Sequence, residues 1–361
     1  MPTKRDFIPL DSIDGLLLDE DESFEDYLFF HNVLDKFCWL IKLHYADRET
    51  VRRKRYRLDT LFQWYLRTNR VSPVAARKSL AAIVSPDQLE HNLTKGWHNE
   101  LVRSDPLHAE YLQVGTNIGN WAGPGSGGLA AWNVVQSYYA IFEFLSAIVN
   151  AYNPDLRIDG HKKLAREFNN HVQGKISGSL LFYPFTISSV TSDRAFPEHP
   201  AHTKFHYATY PRAVGTSIDQ LEKLVRDAFA FAGEGRRTSI LDFLYELRLW
   251  ANYTGVGRLL KLRDGGYQAF LMKNLGTVVF FAGGIAELAY ISLFGQARYA
   301  ALVHKFAREY IDRSERFARQ KYLIPIYVRL RAYKHVGIFT GSLRFVFPDT
   351  EDPIQFIQRD T

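Results

Sequence analysis

Apolar residues recur at intervals of three and four along most of this chain, which is the spacing of one buried helix face. The clearest case is "WNVVQSYYAIFEFLSAIVNAY", which starts at Trp132. Turns at Pro154 and Gly160 separate it from a second helical pattern that opens at His161. Similar spacing occurs in residues 24–45, 218–232, 238–253 and 296–322. The pattern therefore predicts a mainly α fold.

Two stretches depart from helical spacing. Residues 174–217 are rich in turn formers, β-branched residues and aromatics, so we predict one irregular insertion there with a short hairpin. Residues 342–349, "SLRFVFPD", predict a short β-like ending. We divide the chain into an N-terminal helical region at 1–98, a helical bundle at 99–255 and a C-terminal helical region at 256–361 that packs on the bundle.

One segment, "LGTVVFFAGGIAELAYISLF" at residues 275–294, is apolar and about long enough to cross a bilayer. Glu287 lies inside it, and the pair Gly283–Gly284 is expected to interrupt a helix. The mean hydropathy of the chain is −0.21, and we expect no second span. We therefore interpret the segment as a buried helix or helix pair, and we expect no membrane partner.

The composition permits a large hydrophobic core. The chain has 361 residues, of which 46% are hydrophobic, and this excludes a disordered composition. The net charge of +6 is compatible with nucleic-acid binding but does not require it. A single cysteine, Cys38, excludes an intrachain disulfide and a cysteine zinc site. Because the first residues also lack a signal-peptide pattern, we expect a cytoplasmic protein.

A histidine cluster is the one sequence feature that suggests a metal. His199, His202 and His206 follow Asp193, but their spacing matches no standard metal site. The glycine-rich residues 123–128 lack the Gly-Lys-Ser/Thr ending of a phosphate-binding loop and are more typical of a linker. We therefore expect neither a metal nor another cofactor.

Three separated pieces of the chain share a pattern with a known family: "QSYYAIFEFLSAIV", "GHKKLAREFNNHV" and "LRLWANY". In their order and spacing they resemble the HEPN family of helical bundles, over about residues 129–255. The matching positions are Ser137, Tyr138, Tyr139, Ala140, Phe142, Gly160, His161, Phe168, Arg248, Ala251 and Tyr253. Asn252 stands where Asp is usual, and Glu143 where His or Tyr is often found. The resemblance implies a HEPN-like bundle with extra N- and C-terminal helices.

The resemblance also implies a candidate site. Active HEPN proteins are metal-independent ribonucleases whose motif is Arg, four to six residues and then His, because arginine holds phosphate and histidine moves protons. Here the motif position runs from Arg248 to Tyr253. Tyrosine, with a pKa of about 10, is a poor base at neutral pH. The site is therefore expected to be degenerate or repurposed, or Arg248 joins helices through a carboxylate such as Glu143 or Glu246.

Five arginine–histidine pairs have the spacing of the motif, and we rank Arg298/His304 first among them: Arg103/His108, Arg166/His171, Arg194/His199, Arg298/His304 and Arg329/His335. Arg298 and His304 lie in the helical pattern "GQARYAALVHKFAREY", so we include them as candidate catalytic residues. The alternative is two exposed basic residues on an ordinary helix.

A basic run is the candidate contact for an RNA backbone. Arg52, Arg53, Arg55 and Arg57 are followed by the apolar face of "LDTLFQWYL". Arginines interleaved with aromatics suit a phosphate backbone. The alternative is an amphipathic helix whose basic side faces water.

The function implied by the resemblance is that of an RNA-directed protein of the toxin or antiviral-defence class, which either cleaves RNA or only binds it. Its expected partners are RNA, a larger protein effector or a cognate antitoxin, and a second copy of the chain. The alternative is a non-enzymatic helical scaffold subunit of a larger effector complex. A third class, nucleotide or second-messenger binding, would place the ligand near residues 123–128.

The basic run makes a prediction about salt. If its arginines contact phosphates, replacing Arg52, Arg53 and Arg55 with Ser should flatten the slope of log Kd against log salt by up to about three units. Fluorescence anisotropy with a labelled oligoribonucleotide at several salt concentrations measures this slope. An unchanged slope would show that the run is only a solvated helix face.

Overall fold

The computed structural model describes residues 34, 38, 58–68, 80–81, 83–103, 126–168, 240–254, 265–313 and 324–340. Its helices are α1 Leu58–Thr68, α2 Pro86–Arg103, α3 Ser126–Tyr152, α4 His161–Glu167, α5 Ile240–Leu249, α6 Gly265–Phe306 and α7 Pro325–His335. Short π-helical turns follow α5 and α6, at Trp250–Thr254 and Ala307–Ile311. Every regular element within these ranges is helical, so the predicted mainly α fold is confirmed. The insertion predicted at 174–217 and the β-like ending at 342–349 lie outside them.

Helix α3 is the centre of the fold. It packs along α2 and α6, and it also contacts α4 and α5. Its apolar residues point in every direction, as expected of a helix enclosed by others, and Ile141, Phe144 and Ile148 have no exposed surface. The helix ends at Tyr152, one residue before Asn153, because a residue that precedes proline disfavours the α conformation. Residues of α3 therefore contact α2 and α6 on one side and α4 and α5 on another.

Helix α2 is not among the helical patterns recognised in the sequence. Pro86 is the first residue of this helix, a position at which proline lacks no hydrogen bond that the helix needs. Asp87 in the first turn also suits the positive end of the helix dipole. The domain boundary predicted between residues 98 and 99 falls inside α2.

The sequence placed the interruption of α6 at the wrong glycines. The backbone remains helical through Gly283 and Gly284, and the kink lies at Gly295, whose φ of 83° is in the left-handed region that favours glycine. The glycine pair allows close packing instead. A Cβ on Gly283 would lie 2.9 Å from the Arg329 guanidinium carbon, and one on Gly284 would overlap the Phe62 ring.

A buried ion network joins α2, α6 and α7 beside that glycine pair. Arg329, which has no exposed surface, donates from Nη1 and Nη2 to the two oxygens of Glu100, each over 2.8 Å. Its Nε donates to Glu287 over 2.9 Å. Trp97 Nε1 also donates to Glu287, over 2.8 Å, and the Tyr333 hydroxyl donates to its second oxygen over 3.0 Å. The network therefore accounts for the glutamate inside the apolar sequence of α6.

The charged groups in this network shift one another's pKa values. Burial raises the pKa of Glu100 above its ordinary value, and the adjacent Arg329 opposes that shift. Burial would lower the pKa of Arg329, but the two glutamates hold it well above its ordinary value. Arg329 thus remains a cation, and it compensates carboxylates that would otherwise be costly to bury.

Two helical segments, Ala131–Tyr152 and Asn274–Ile311, are long and apolar enough to cross a membrane by length and composition alone. The expectation that no second candidate span exists was therefore wrong, because α3 passes the same test as α6. The most apolar 18-residue window of the first segment is 78% buried inside the protein, and that of the second is 83% buried. Core helices of this kind satisfy a hydropathy criterion because they are surrounded by other helices.

The network makes a prediction about stability. Replacing Arg329 with Leu should lower the free energy of unfolding by about 3–5 kcal/mol, because it leaves two buried carboxylates without the cation that is hydrogen-bonded to both. Lys334→Ala, at an exposed position on the same helix, is the control and should change it by less than about 0.5 kcal/mol. Urea denaturation followed by tryptophan fluorescence measures both. Equal stabilities of the two variants would contradict the proposed role of Arg329.

Candidate functional site

Helices α3, α4 and α5 bring together the residues that carried the family resemblance. Tyr138 and Tyr139 come from the middle of α3, and His161 is the first residue of α4. Tyr245 and Arg248 lie three residues apart on α5 and hence on one face. We call these five residues the Arg248 cluster.

Aromatic rings surround Arg248. Its Cζ lies 5.3 Å from the ring centroid of Tyr139, 5.7 Å from that of Tyr138 and 5.9 Å from that of Tyr245. Nη2 donates a hydrogen bond of 3.0 Å to the Tyr139 hydroxyl. Nε is buried and has no acceptor in the part of the chain that the structure describes. Among the described residues, the cation is thus held by ring faces and one hydroxyl, and one of its donors has no partner there.

No ion pair of Arg248 occurs within the described ranges, in contrast to Arg329, which binds two carboxylates. Burial raises the pKa of Glu143, and the charged group that opposes this shift is Lys95 rather than Arg248. The expected alternative, a helix tie from Arg248 to Glu143 or Glu246, therefore has no counterpart in this geometry. The positive charge of Arg248 is not neutralised by a described carboxylate.

His161 lies against the same tyrosines. Its Nδ1 is 3.0 Å from the Tyr138 hydroxyl, and its ring centroid is 5.3 Å from that of Tyr138 and 5.7 Å from those of Tyr139 and Tyr245. Burial and then the charge of Arg248 lower the pKa of His161 below its ordinary value. Burial raises the pKa of Tyr138 far above its ordinary value. At neutral pH the cluster therefore holds a neutral imidazole, a protonated phenol and a permanent cation.

The second predicted residue of the motif, Tyr253, lies in the π-helical turn Trp250–Thr254, but its side chain lies outside the described part of the structure. The backbone leaves the α-helical repeat directly after Leu249. The angular separation of Arg248 and Tyr253 therefore differs from that of a regular helix, on which the motif spacing is based.

The alternative pair lies on the surface of α6. Arg298 Nε donates to Glu90 of α2 over 2.9 Å, and the Tyr290 hydroxyl donates to the same oxygen over 2.6 Å. His304 is also exposed, six residues further along. At about 100° per residue, the two side chains are roughly 120° apart around the helix. Arg298 is thus engaged in an exposed ion pair, and the pair lacks the shared face that one site would need.

Several sequence candidates fall outside the described ranges: Arg52, Arg53, Arg55, Arg57, His199, His202 and His206. Within those ranges, no group of three or more His, Cys, Asp or Glu side chains has the arrangement of a metal site.

Sequence reasoning did not identify Tyr245 as a member of the cluster, nor His161 as a neighbour of Arg248. The spacing of Tyr245 and Arg248 on one helix was a usable signal. The proximity of His161 was not, because 87 residues separate it from Arg248 and only the packing of α4 against α3 and α5 brings them together.

A guanidinium without an ion pair among the described residues, beside a neutral histidine and tyrosine hydroxyls, can bind an anion and exchange protons with it. Guanidinium donors match the geometry of phosphate oxygens, and hydrogen bonds between charged groups are stronger than neutral ones. Comparison of the chain with known protein families, curated proteins and solved structures found no match. The function of this cluster must therefore be inferred from its geometry and from the residue pattern.

The environment of His161 predicts how stability depends on pH. Folding lowers the pKa of His161. The contribution of His161 to the free energy of unfolding is therefore fully present above its unfolded pKa of about 6.5, and it is lost as pH falls through the folded pKa. His161→Gln should therefore flatten the decline in unfolding free energy below about pH 6.5. Urea titrations at several pH values test this, with His91→Gln, an exposed change on α2, as the control. A decline of the same steepness in His161→Gln and the wild type would contradict the expectation.

Proposed function

We propose that this chain is a HEPN-like, RNA-directed protein of the cytoplasm in which Arg248 binds a phosphate of the RNA backbone. The observation that carries the proposal is that Arg248 forms no ion pair with a described carboxylate and that its buried Nε has no described acceptor. A buried polar group without a partner is costly, so its persistence favours an external ligand. An anion at this position would satisfy Nε and neutralise the cation together.

The way the cluster is assembled supports the family part of the proposal. Tyr138 and Tyr139, His161 and Arg248 come from the three separate pieces that resemble HEPN proteins, and they converge around one arginine. Residues that are distant in sequence and share a family pattern are expected to meet in space if that pattern describes a site. The convergence therefore favours the resemblance over a chance match of short motifs.

RNA is the favoured source of the phosphate for two reasons. The resemblance implies a ribonuclease family, and the chain has an overall charge of +6. Tyrosine faces beside an arginine also suit nucleic acid, because bases stack on aromatic rings while phosphates bind the cation. The toxin or antiviral-defence role, the effector or antitoxin partner and the formation of a homodimer remain predictions.

The second candidate function is a non-enzymatic scaffold subunit. The specific observation in its favour is that three rings already enclose Arg248, since cation–π contacts can hold an arginine without any ligand. In this case Arg248 only joins α3 to α5. In the first function the Arg248 guanidinium contributes to RNA affinity, and in the second it does not. RNA affinity can be measured directly.

Variants of Arg248 test the proposal. Arg248→Ala should weaken RNA binding by about 10- to 100-fold, because a charge-assisted hydrogen bond contributes about 1.5–3 kcal/mol. Arg248→Lys should restore little of this, because lysine lacks the planar fork. Arg308→Ala removes the same charge from an exposed position and is the control. Fluorescence anisotropy with a labelled oligoribonucleotide at one fixed salt concentration gives the three affinities.

Thermal melts on the same variants distinguish the two functions. If Arg248 binds RNA, Arg248→Ala should remain folded, because its loss leaves no described carboxylate unpaired. A scaffold role predicts the opposite result: a clear loss of stability with unchanged RNA affinity per folded molecule. That result would overturn the proposed function.

A further inference from the structure

We propose that His161 is the proton-transfer group of the Arg248 site and performs the role that the motif assigns to a histidine at the position of Tyr253. This inference rests on the proposed function, because RNA supplies the 2′-hydroxyl group that would be deprotonated. It adds a specific residue and a reaction to a site so far defined only by phosphate binding. The residue comes from a different helix than the arginine, so motif spacing alone does not reveal it.

His161 lies close to Arg248. His161 and Arg248 contact the same three tyrosines, Tyr138, Tyr139 and Tyr245, from α4 and α5 respectively. The charge of Arg248 is also close enough to lower the pKa of His161. A phosphodiester held by the guanidinium would therefore lie near the imidazole.

Tyr138 orients the imidazole of His161. The Tyr138 hydroxyl lies 3.0 Å from Nδ1. In the tautomer that the reaction requires, Nδ1–H donates to the Tyr138 oxygen and Nε2 carries the lone pair. Nε2 makes no hydrogen bond to any residue that the structure describes. Tyr138 is thus a positioning residue, and no described residue is bonded to Nε2.

Charge favours a neutral imidazole in the empty site. The titratable groups against His161 include Tyr138 and Tyr139 from α3 and Tyr245 and Arg248 from α5, and the carboxylate of Asp242, also from α5, acts on the Tyr138 phenol. The positive charge of Arg248 disfavours a second cation at His161. His161 is therefore neutral and able to accept a proton when the site is empty. An anionic phosphate between the two residues would then stabilise the imidazolium that forms.

The reaction that follows is an internal transfer within RNA. His161 Nε2 takes the proton of a ribose 2′-hydroxyl, and the 2′-oxygen forms a bond to the adjacent phosphorus. The bond from phosphorus to the 5′-oxygen breaks, and that oxygen takes a proton from water. The imidazolium then gives its proton to the hydroxide left in the solvent, which restores water and the neutral imidazole. The products are a 2′,3′-cyclic phosphate and a 5′-hydroxyl end, while Arg248 stabilises the phosphate charge.

The test compares cleavage and binding on full-length protein. The probe is a mixture of labelled oligoribonucleotides, incubated in EDTA with wild type, His161→Gln, Tyr138→Phe and the exposed control His91→Gln. We expect slow cleavage by wild type to cyclic-phosphate ends, and a loss of about 100-fold or more in His161→Gln. RNA affinity, measured in parallel, should change little in this variant. His91→Gln should cleave like wild type.

The pH profile separates proton transfer from a structural role. The wild-type rate should fall as pH decreases below the lowered pKa of His161, and this limb should be absent from the residual rate of His161→Gln. Tyr138→Phe, which keeps the ring but removes the contact to Nδ1, should slow cleavage and shift the limb. Equal rates in His161→Gln and wild type would overturn the proposal.

The failures of the two proposals are distinguishable. RNA binding without any cleavage by wild type would overturn the role of His161 and leave the proposed RNA binding intact. Absence of binding by wild type would overturn the proposed function and this inference with it. If His161→Gln is unfolded in thermal melts, Tyr138→Phe decides the question, because a rate and pH limb identical to wild type would contradict orientation of His161 by Tyr138.

Discussion

The ion network of Arg329 with Glu100 and Glu287 is the constraint on which the rest of the described structure depends. It lies where α2, α6 and α7 meet, and each charge in it requires the others because none is in contact with water. Close approach to Gly283 fixes its distance from α6. With these helices held in place, α3 is enclosed on one side and can present Tyr138 and Tyr139 to α4 and α5 on the other.

The two arginine clusters differ in one physical respect. Arg329 is neutralised by two carboxylates and has no exposed surface, so its interactions are complete within the protein. Arg248 is partly exposed, lies among rings and hydroxyls, forms no ion pair with a described carboxylate, and has a buried donor with no described acceptor. The same side chain thus stabilises the fold in one place and, in our proposal, binds a ligand in the other. At Arg329 the opposite charge comes from two glutamates of the chain. At Arg248, in our proposal, it comes from the phosphate of a bound ligand.

Local pattern identified α3, α4 and α5 but not α2, and it did not reveal the contacts between helices. The start of α4 at His161 followed from turn residues and apolar spacing, which depend on near neighbours. Helix α2 was missed because Pro86 indicates a turn as readily as a helix start. The pairing of Glu287 with Arg329 and of His161 with Tyr138 depends on long-range packing, which no single window of sequence contains. For the candidate site, the sequence thus singled out Arg248, Tyr138, Tyr139 and His161 but not their mutual contacts, and it missed Tyr245.

The most direct test of this account follows the Nε–H groups of the two arginines by NMR. In protein labelled with ¹⁵N-arginine, assigned with Arg248→Lys and compared at one salt concentration, addition of an oligoribonucleotide should shift the Arg248 Nε–H resonance. The Arg329 resonance should stay in place, because its donors are already bound to glutamates. An unshifted Arg248 resonance in RNA-saturated protein would contradict the claim that this arginine holds the phosphate.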